Sequence, residues 1–205
     1  MIAIIDYGAG NLQSVVKAFD SIGCETKITA NSEEILAADA AVLPGVGAFG
    51  DAIQNLSKLG LDKTVKAFVA TQKPFLGICL GMQVLFESSE ESPRAKGLHI
   101  LKGEIHRIPK IDDLKVPHMG WNSLIETENK GLFQGIESNP YVYFVHSYYL
   151  KAEEDIVSSV AEYGVQIHAS IQKGNIFATQ FHPEKSGETG LNMLRNFKAL
   201  CEKEA

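Results

Sequence analysis

The sequence predicts an α/β fold with a mostly parallel central sheet, helices on both faces, and an additional antiparallel β region in the C-terminal half. Two observations carry this prediction. Up to about Ser89, apolar segments of strand length alternate with segments of helical periodicity, which is typical of βαβ units. Beyond Pro93, short runs of β-branched and aromatic residues are separated by turn signals, which favours antiparallel strands.

The composition is that of an ordinary globular chain. It has 205 residues, of which 45% are hydrophobic and 21% charged, and it contains no linker, repeat or low-complexity run. We therefore expect a single domain over residues 1–205. The net charge is −6 and no basic cluster is present, so nucleic acid is not expected as a partner.

The apolar stretches and the cysteines indicate the expected location. No stretch is long enough to cross a membrane, and the apolar start 1–6 is too short for a signal peptide. Cys24, Cys79 and Cys201 are far apart and form no C-x-x-C pattern, which argues against a disulfide framework and a cysteine zinc site. The expectation is a cytoplasmic protein without metal or cofactor.

The first half of the chain predicts strands joined by helices. Ile2–Asp6 is the first strand, a glycine loop over 7–11 follows, and Asn11 is the expected N-cap of a helix. The loop does not complete a dinucleotide fingerprint, because Gln13 stands where glycine or alanine is needed. The next predicted elements are a strand over 24–29, a helix over 31–36, a strand over 40–43, and helices over 48–56 and 62–70.

A cysteine stands at the next junction between strand and helix. Residues 75–79 predict a buried strand, and 82–87 predict the first turns of a helix. Gly77 and Gly81 flank Cys79 two residues away on each side, which is the cysteine version of a nucleophile elbow. The N-terminus of the helix would favour the thiolate. The alternative is a small buried cysteine in a glycine-rich strand.

The second half predicts short strands and a closing helix that begins at 186–187. A histidine and a carboxylate follow the last strand, in His182-Pro183-Glu184. Glu184 is positioned to accept a hydrogen bond from the ring of His182, which would make the other ring nitrogen a base for Cys79. The predicted strands are 105–108, 141–145, 157–163, 168–172 and 176–181, with hairpins between the last two pairs.

These motifs resemble the class I (triad) glutamine amidotransferase family, whose marks are the elbow Gly77–Gln83 and the stretch His182–Glu184. Within that family the chain is similar to the glutaminase subunit of imidazole glycerol-phosphate synthase. The stretches that carry this closer resemblance are Pro44–Phe49, Val116–Asn122, Tyr143–Tyr148 and His182–Ser186. The sister glutaminase of pyridoxal-phosphate synthase has a Gly-Gly-Glu-Ser type loop where this chain has Pro44–Gly47.

The resemblance implies a reaction and a role for each residue. The side-chain amide of glutamine would be hydrolysed to glutamate and ammonia, with Cys79 as nucleophile, His182 as acid and base, and Glu184 as orienter. Backbone donors to the oxyanion are implied at Val46, Gly47 and Leu80. The residues implied to contact glutamine are Gly47, Gln83, Glu91, His146, Ser147 and Tyr148. Glu90 is an alternative to the adjacent Glu91.

The resemblance also implies a partner. Ammonia would pass to a (βα)8-barrel cyclase subunit in a heterodimer, which forms imidazole glycerol phosphate and an aminoimidazole carboxamide ribotide in histidine biosynthesis. The residues expected at the interface are Asn11, Trp121, Asn122, Tyr143 and Lys185. Alternatively, Trp121 and Tyr143 belong to the core and Lys185 only faces solvent.

Two further functions stay open on the sequence. One is a different hydrolase with an elbow cysteine on the same fold, such as a peptidase or a glyoxalase-like protein. The other is a catalytically dead regulatory subunit that only binds a partner, against which the complete set of Cys79, His182 and Glu184 argues. A glutaminase subunit of another synthase is the remaining alternative within the family.

Overall fold

The computed structural model describes residues 1–8, 10–111, 114–125 and 129–202, so Ala9 of the predicted glycine loop and the end of the predicted domain lie outside the described residues. Helices and strands follow one another along the whole described chain. In chain order they are β1 (Ile2–Ile5), α1 (Leu12–Ser21), β2 (Thr26–Thr29), α2 (Ser32–Ala37), β3 (Ala40–Gly45), α3 (Phe49–Lys58), α4 (Leu61–Ala70), β4 (Phe75–Cys79), α5 (Leu80–Gln83), β5 (Ser88–Ser89), β6 (Gly103–Arg107), β7 (His118–Ser123), β8 (Tyr141–His146), β9 (Tyr148–Ala152), β10 (Val157–Glu162), β11 (Gln166–Lys173), β12 (Ile176–Thr179) and α6 (Gly187–Glu202).

The main sheet has seven strands in the order β10-β11-β12-β4-β3-β1-β2. The five strands from β12 to β2 are parallel to one another, whereas β11 runs antiparallel to both of its neighbours. Smaller sheets are formed by β5-β6-β9 and by the antiparallel hairpin β7-β8. The predicted α/β class, and the two hairpins predicted between the last three strands, are confirmed.

Both faces of the main sheet are covered by helices because its strands alternate apolar side chains between two cores. Ile2 and Ile4 of β1 belong to one core, which also contains Phe19 of α1 and Phe197 of α6. Ala3 and Ile5 belong to the other, together with buried residues of α2, α3 and α4. Strands that are buried on both faces are the usual consequence of a doubly wound parallel sheet.

The helix predicted after the elbow is much shorter than expected, because α5 ends at Gln83. Backbone N–H groups of Leu98, His99 and Ile100 donate to the carbonyl groups of residues 84–86, so these carbonyls are not available for further helical turns. The prediction of a helix over 82–87 is therefore wrong, and a helix dipole long enough to act on Cys79 is not formed. Strands β7 and β9 were not predicted.

The capping role predicted for Asn11 is also wrong. Asn11 precedes α1 with a left-handed backbone (φ 74°), and its side chain makes no capping hydrogen bond. The side-chain amide instead donates to the Glu184 carboxylate across the chain. By contrast, the helix predicted over 31–36 forms as α2, and Asn31 caps it, since its side-chain oxygen accepts from the N–H groups of Glu33 and Glu34.

The described residues form neither a membrane-spanning helix nor a cluster of metal ligands. None of the helices formed by these residues is long and apolar enough to cross a membrane. Within the same residues, no group of three or more His, Cys, Asp or Glu side chains is arranged to hold a metal ion.

Candidate active site

The carboxyl ends of three adjacent parallel strands bring the predicted catalytic segments together. The register pairs Gly45 at the end of β3 with Cys79 at the end of β4, and Thr179 at the end of β12 with Ile78. Chain segments that leave these ends carry Val46 and Gly47, Cys79, and His182. The carboxyl edge of a parallel sheet is where the binding crevices of α/β proteins lie.

Cys79 occupies a strained turn that only small neighbours allow. Its backbone has φ 54° and ψ −108°, a conformation that is costly for a residue with a side chain. A Cβ atom on Gly77 would lie 2.8 Å from the Gly81 carbonyl oxygen, and one on Gly81 would overlap the carbonyl oxygen of Leu43. The two glycines thus let the strand turn sharply enough to present the sulfur at the sheet edge.

His182 and Glu184 form a buried pair beside the elbow. His182 Nδ1 donates to Glu184 Oε1 at 2.7 Å, and both side chains are almost completely inaccessible. The same carboxylate oxygen accepts from Asn11 Nδ2, also at 2.7 Å. Nδ1 carries the proton that is donated to the carboxylate. The other ring nitrogen, Nε2, is therefore the one that can exchange protons with a reactant.

The environment of His182 favours its charged form. Burial lowers the pKa of this imidazole, but attraction by the Cys79 sulfur and the Glu184 carboxylate outweighs burial and raises the pKa to about 9. Nε2 is buried and has no hydrogen-bond partner among the described residues. A charged His182 stabilises negative charge on the sulfur, which is the state in which cysteine acts as a nucleophile.

A cavity of about 460 Å³ opens onto Cys79. It is lined by Val46, Gly47, Cys79, Leu80, Gln83, Glu91, Pro117, Val145, His146, Ser147, Tyr148 and Lys185. All the residues expected to bind glutamine or to stabilise an oxyanion are among them. A second cavity, of about 550 Å³, lies at Arg107–Lys110, and the described residues that line it include no cysteine and no histidine.

Two buried glutamines connect the cavity wall to the sulfur. Gln83 Nε2 donates to the Tyr148 carbonyl oxygen at 3.1 Å and to Gln180 Oε1 at 2.8 Å. Gln180, which is fully buried, donates through its own Nε2 to Cys79 Sγ at 3.6 Å. Both amide hydrogens of Gln83 are thus engaged, which leaves its Oε1 as the atom able to accept from a ligand.

The structure distinguishes Glu91 from Glu90. Glu91 lines the cavity, and its Oε2 accepts from the backbone N–H of Phe49 at the start of α3. Glu90 instead accepts from the Arg107 backbone N–H and contacts the ring of His106, outside the cavity. Only Glu91 is therefore placed to meet a ligand in this cavity.

Of the residues expected at the partner interface, Lys185 lines the cavity, and Tyr143 and Trp121 follow it in a series of ring contacts. Trp121 is 56% exposed on β7 and packs edge-on against Tyr143 of β8, and the Lys185 ammonium lies 6.0 Å from the centre of the Tyr143 ring. Asn122 follows Trp121 on the same strand. Asn11 differs, because its side chain is directed at the Glu184 carboxylate.

The sequence pattern of the class I glutamine amidotransferases matches residues 3–200. The chain belongs to the class I glutamine amidotransferase family. It is 52% identical over 203 residues to the imidazole glycerol phosphate synthase subunit HisH of Caldanaerobacter subterraneus subsp. tengcongensis, an alignment that covers 98% of this chain and 99% of that protein. It is 53% identical over 197 residues to the protein of the same name from Methanothermobacter thermautotrophicus, which covers 96% of this chain and 97% of that protein.

The fold of this amidotransferase is shared with more distant relatives. The crystal structure of a glutamine amidotransferase from Thermotoga maritima superimposes with a TM-score of 0.66 at 16% identity, over 99% of this chain and 84% of that chain. At such low identity the likeness concerns the fold alone.

Sequence reasoning missed two groups of this amidotransferase site. Gln180 was not singled out, although a glutamine inside the apolar strand segment 176–181 is a signal of a buried polar contact. His118 was considered only as part of a motif, yet it is buried and its Nδ1 lies 2.9 Å from Nε2 of His146. Nothing in the sequence shows that these two histidines meet.

The two buried histidines predict acid sensitivity. Burial lowers the pKa of His118 to about 4 and that of His146 to about 3, helped for His146 by the nearby His118 and His182. Both pKa values lie below the unfolded value of about 6.5, so the folded state binds fewer protons and stability falls as the pH drops below about 6.5. We therefore expect the free energy of unfolding to decrease as the pH is lowered from 6.5 towards 4.

Urea unfolding at pH 7.5, 6 and 5 checks this expectation, with His118→Phe as the comparison. The variant lacks one of the two titrating groups, so its free energy of unfolding should fall less steeply with decreasing pH. Identical slopes for the two proteins would show that His118 is not held neutral in the folded state.

Proposed function

We propose that this amidotransferase is the glutaminase subunit of an imidazole glycerol phosphate synthase in histidine biosynthesis. It hydrolyses glutamine to glutamate and ammonia with Cys79, His182 and Glu184, and supplies the ammonia to a (βα)8-barrel cyclase subunit. The observation that carries the proposal is that the elbow cysteine lines a cavity and also lies close enough to His182 to help raise the pKa of that imidazole to about 9. The names of the two close relatives support the choice of synthase.

In the first step, the Cys79 thiolate attacks the side-chain carbonyl carbon of glutamine. The new carbon–sulfur bond gives a tetrahedral intermediate whose oxygen carries the negative charge. As the intermediate collapses, the carbon–nitrogen bond breaks and the nitrogen takes the proton from His182 Nε2, leaving as ammonia. A γ-glutamyl thioester and a neutral His182 remain.

In the second step, water attacks the thioester. His182 Nε2, now unprotonated, accepts a proton from the water, and the carbon–sulfur bond breaks to give glutamate and the Cys79 thiolate. Glu184 stabilises the imidazolium through its contact with Nδ1 in both steps, and it does not itself take the proton. The cycle ends with the charged pair from which it began.

Recognition of free glutamine requires acceptors for its ammonium group and donors for its carboxylate. Gln83 Oε1 and the Glu91 carboxylate, which both line the cavity, are the proposed acceptors for the ammonium group. The backbone of residues 146–148 forms the far wall, and the cavity volume of about 460 Å³ accommodates an amino acid. A ligand of this size gains its selectivity from such paired polar contacts.

The loop Gly45–Gly47 is proposed to complete the oxyanion hole together with the N–H of Leu80. Gly47 has φ +105°, which residues with side chains rarely adopt, and nothing lies within 4 Å of a Cβ added there. A substitution would therefore disturb the backbone conformation without a steric clash. The N–H of Leu80 lacks an intrahelical acceptor because Leu80 is the first residue of α5.

Gly47→Ala tests this loop. If cyclase and acceptor binding turn a donor of the loop toward the oxyanion, the variant should lose up to about a hundred- to a thousandfold of the activated rate, since one such donor contributes about 3–4 kcal/mol. The basal rate without cyclase should fall much less. Gly60→Ala is the control, because Gly60 also has a positive φ (70°) and free space but lies at the start of α4. Equal fractional losses of the basal and the activated rate would indicate that the loop does not change conformation when the cyclase binds.

The cyclase is proposed to bind the exposed hairpin β7-β8. Met119 is 62% exposed and Trp121 56% exposed, and such large side chains are enriched at interfaces. The hairpin is also tied to the catalytic segment, since the Tyr143 carbonyl accepts from the His182 backbone N–H and the Tyr143 N–H donates to Ser186 Oγ. A partner on this face therefore covers the cavity mouth at Lys185.

Glutamate release, measured for this chain alone and with the cyclase plus its ribulosyl acceptor, tests the proposal. We expect a low basal rate that rises strongly in the complete complex. A γ-linked peptide substrate serves as the control for a peptidase-like hydrolase. Cleavage of the peptide in preference to glutamine, or no glutamate in any condition, would contradict the proposed function.

A further inference from the structure

Two histidines outside the catalytic pair are buried on the hairpin β7-β8. His118 and His146 stand directly opposite each other in the register and are 3% and 6% exposed. Nδ1 of His118 lies 2.9 Å from Nε2 of His146. The ring of His118 is stacked between Phe144 and Tyr163, at centroid distances of 4.5 and 3.9 Å. When two imidazoles are buried in contact, one must donate a hydrogen bond and the other must accept it, so the positions of their protons are fixed.

The partners of the pair determine its tautomers. His146 Nδ1 lies 2.9 Å from the Tyr148 carbonyl oxygen, which can only accept, so the proton of His146 is on Nδ1. Its Nε2 is then an acceptor, and His118 must donate from Nδ1. His118 Nε2 in turn accepts, at 3.3 Å, from the side-chain amide of Asn122. Both rings are neutral, in agreement with pKa values lowered by burial.

Asn122 anchors the outer end of this arrangement. Its Oδ1 accepts from the Ser123 backbone N–H at 2.8 Å, so the orientation of the amide is defined. Its Nδ2 donates to the Glu162 carbonyl oxygen at 3.0 Å, which leaves the second amide hydrogen for His118 Nε2. Asn122 therefore donates to His118, His118 donates to His146, and His146 donates to the Tyr148 carbonyl, so the three hydrogen bonds have the same direction.

The inner end of the arrangement reaches the glutamine site. The Tyr148 carbonyl oxygen accepts from His146 Nδ1 and also from Gln83 Nε2. Gln83 Nε2 donates in addition to Gln180 Oε1, and Gln180 Nε2 donates to Cys79 Sγ. A continuous series of buried and partly buried hydrogen bonds thus joins the hairpin residue Asn122 to the wall of the cavity and to Cys79.

We infer that His118 and His146 are positioning residues of the glutamine site. Their hydrogen bonds hold the Tyr148 carbonyl oxygen in place, and this oxygen orients the Gln83 amide so that Oε1 faces the ammonium group of glutamine. Neither histidine touches the substrate through its side chain or moves a proton in the reaction. The inference rests on the proposed glutaminase function and concerns the affinity for glutamine.

His118→Phe is the test variant, because a phenyl ring preserves the stacking and removes both ring nitrogens. In the complex with the cyclase, KM for glutamine should rise on the order of tenfold, since His146 Nε2 loses its buried donor and the His146 ring that holds the Tyr148 carbonyl is no longer fixed in orientation. The ammonium-dependent synthase reaction of the same complex should be unchanged. His118→Asn, whose amide nitrogen can donate from nearly the Nδ1 position, should restore KM to within about threefold of the wild-type value.

Tyr163→Phe is the matched control. It keeps the ring stacked on His118 and removes only the hydrogen bond of Tyr163 to the Lys115 carbonyl oxygen. KM for glutamine should stay at the wild-type value. An unchanged KM in His118→Phe, a failure of His118→Asn to restore it, or an equal rise in Tyr163→Phe would overturn the inference.

Nitrogen-15 NMR of the histidine rings uses only the wild-type protein and so does not depend on whether a variant folds. The inference requires that His118 and His146 are both neutral at pH 7 with the proton on Nδ1. An Nε2–H tautomer or a charged ring at either position would overturn it. If the wild-type complex released no glutamate at all, the proposed function would fail instead, whatever the tautomers are.

Discussion

Cys79→Ser is expected to abolish glutamine hydrolysis, with a loss of at least about 10⁴-fold in kcat. The elbow presents this side chain at the carboxyl edge of the sheet beside a histidine whose pKa is raised to about 9. A hydroxyl is far less acidic than a thiol, so serine cannot hold the negative charge that the imidazolium stabilises. The volume hardly changes, and the fold should therefore be preserved.

The same variant should form the complex with the cyclase and support synthesis from added ammonium salt at the wild-type rate. Cys24→Ser and Cys201→Ser are the controls for a general effect of removing a thiol. Burial raises the pKa of Cys24, and it raises that of Cys201 to about 12, which disfavours the thiolate form of both. Full glutaminase activity is expected in both controls. Loss of the ammonium-dependent reaction in Cys79→Ser would mean that Cys79 has a structural role.

His182→Ala is expected to lower kcat by about 10³- to 10⁴-fold, and Glu184→Gln is expected to lower it less. The alanine variant loses the group that transfers protons in both steps. The glutamine variant keeps an acceptor for His182 Nδ1 if its amide oxygen takes the place of Oε1. Asn11 Nδ2 donates to that same atom, which favours this orientation of the amide and thereby the correct tautomer of His182.

Single-turnover measurements with glutamine give the chemical rate of both variants. Added imidazole is a useful control, because it can enter the space left in His182→Ala and should restore part of its activity. A larger loss in Glu184→Gln than in His182→Ala would contradict the assignment of Glu184 as an orienting residue.

Local sequence patterns were sufficient to predict much of the fold. The alternation of strands and helices predicted the parallel sheet, because each βαβ unit is encoded by adjacent residues. The glycines around Cys79 predicted the elbow for the same reason. The helix expected after it was wrong, because residues 98–100, distant in sequence, bind the carbonyl groups that would have continued it.

The residues of the proposed reaction centre were easier to predict from the sequence than the residues that support them. His182-Pro183-Glu184 places the proposed acid–base residue and its proposed orienter within three positions, so their contact was predictable. The contacts of Gln180 with Gln83 and of His118 with His146 join residues 97 and 28 positions apart. Asn11 was expected to cap α1, because its actual contact, with Glu184, spans 173 positions and leaves no local signal in the sequence.

The central claim is that this chain releases ammonia from glutamine at Cys79 and delivers it to the cyclase. Its most direct test uses glutamine labelled with nitrogen-15 in the side-chain amide, incubated with the complex, the acceptor and an excess of unlabelled ammonium salt. Mass spectrometry then gives the isotope content of imidazole glycerol phosphate. We expect mostly labelled product with the wild-type chain and only unlabelled product with Cys79→Ser. Unlabelled product from the wild-type complex would contradict the account.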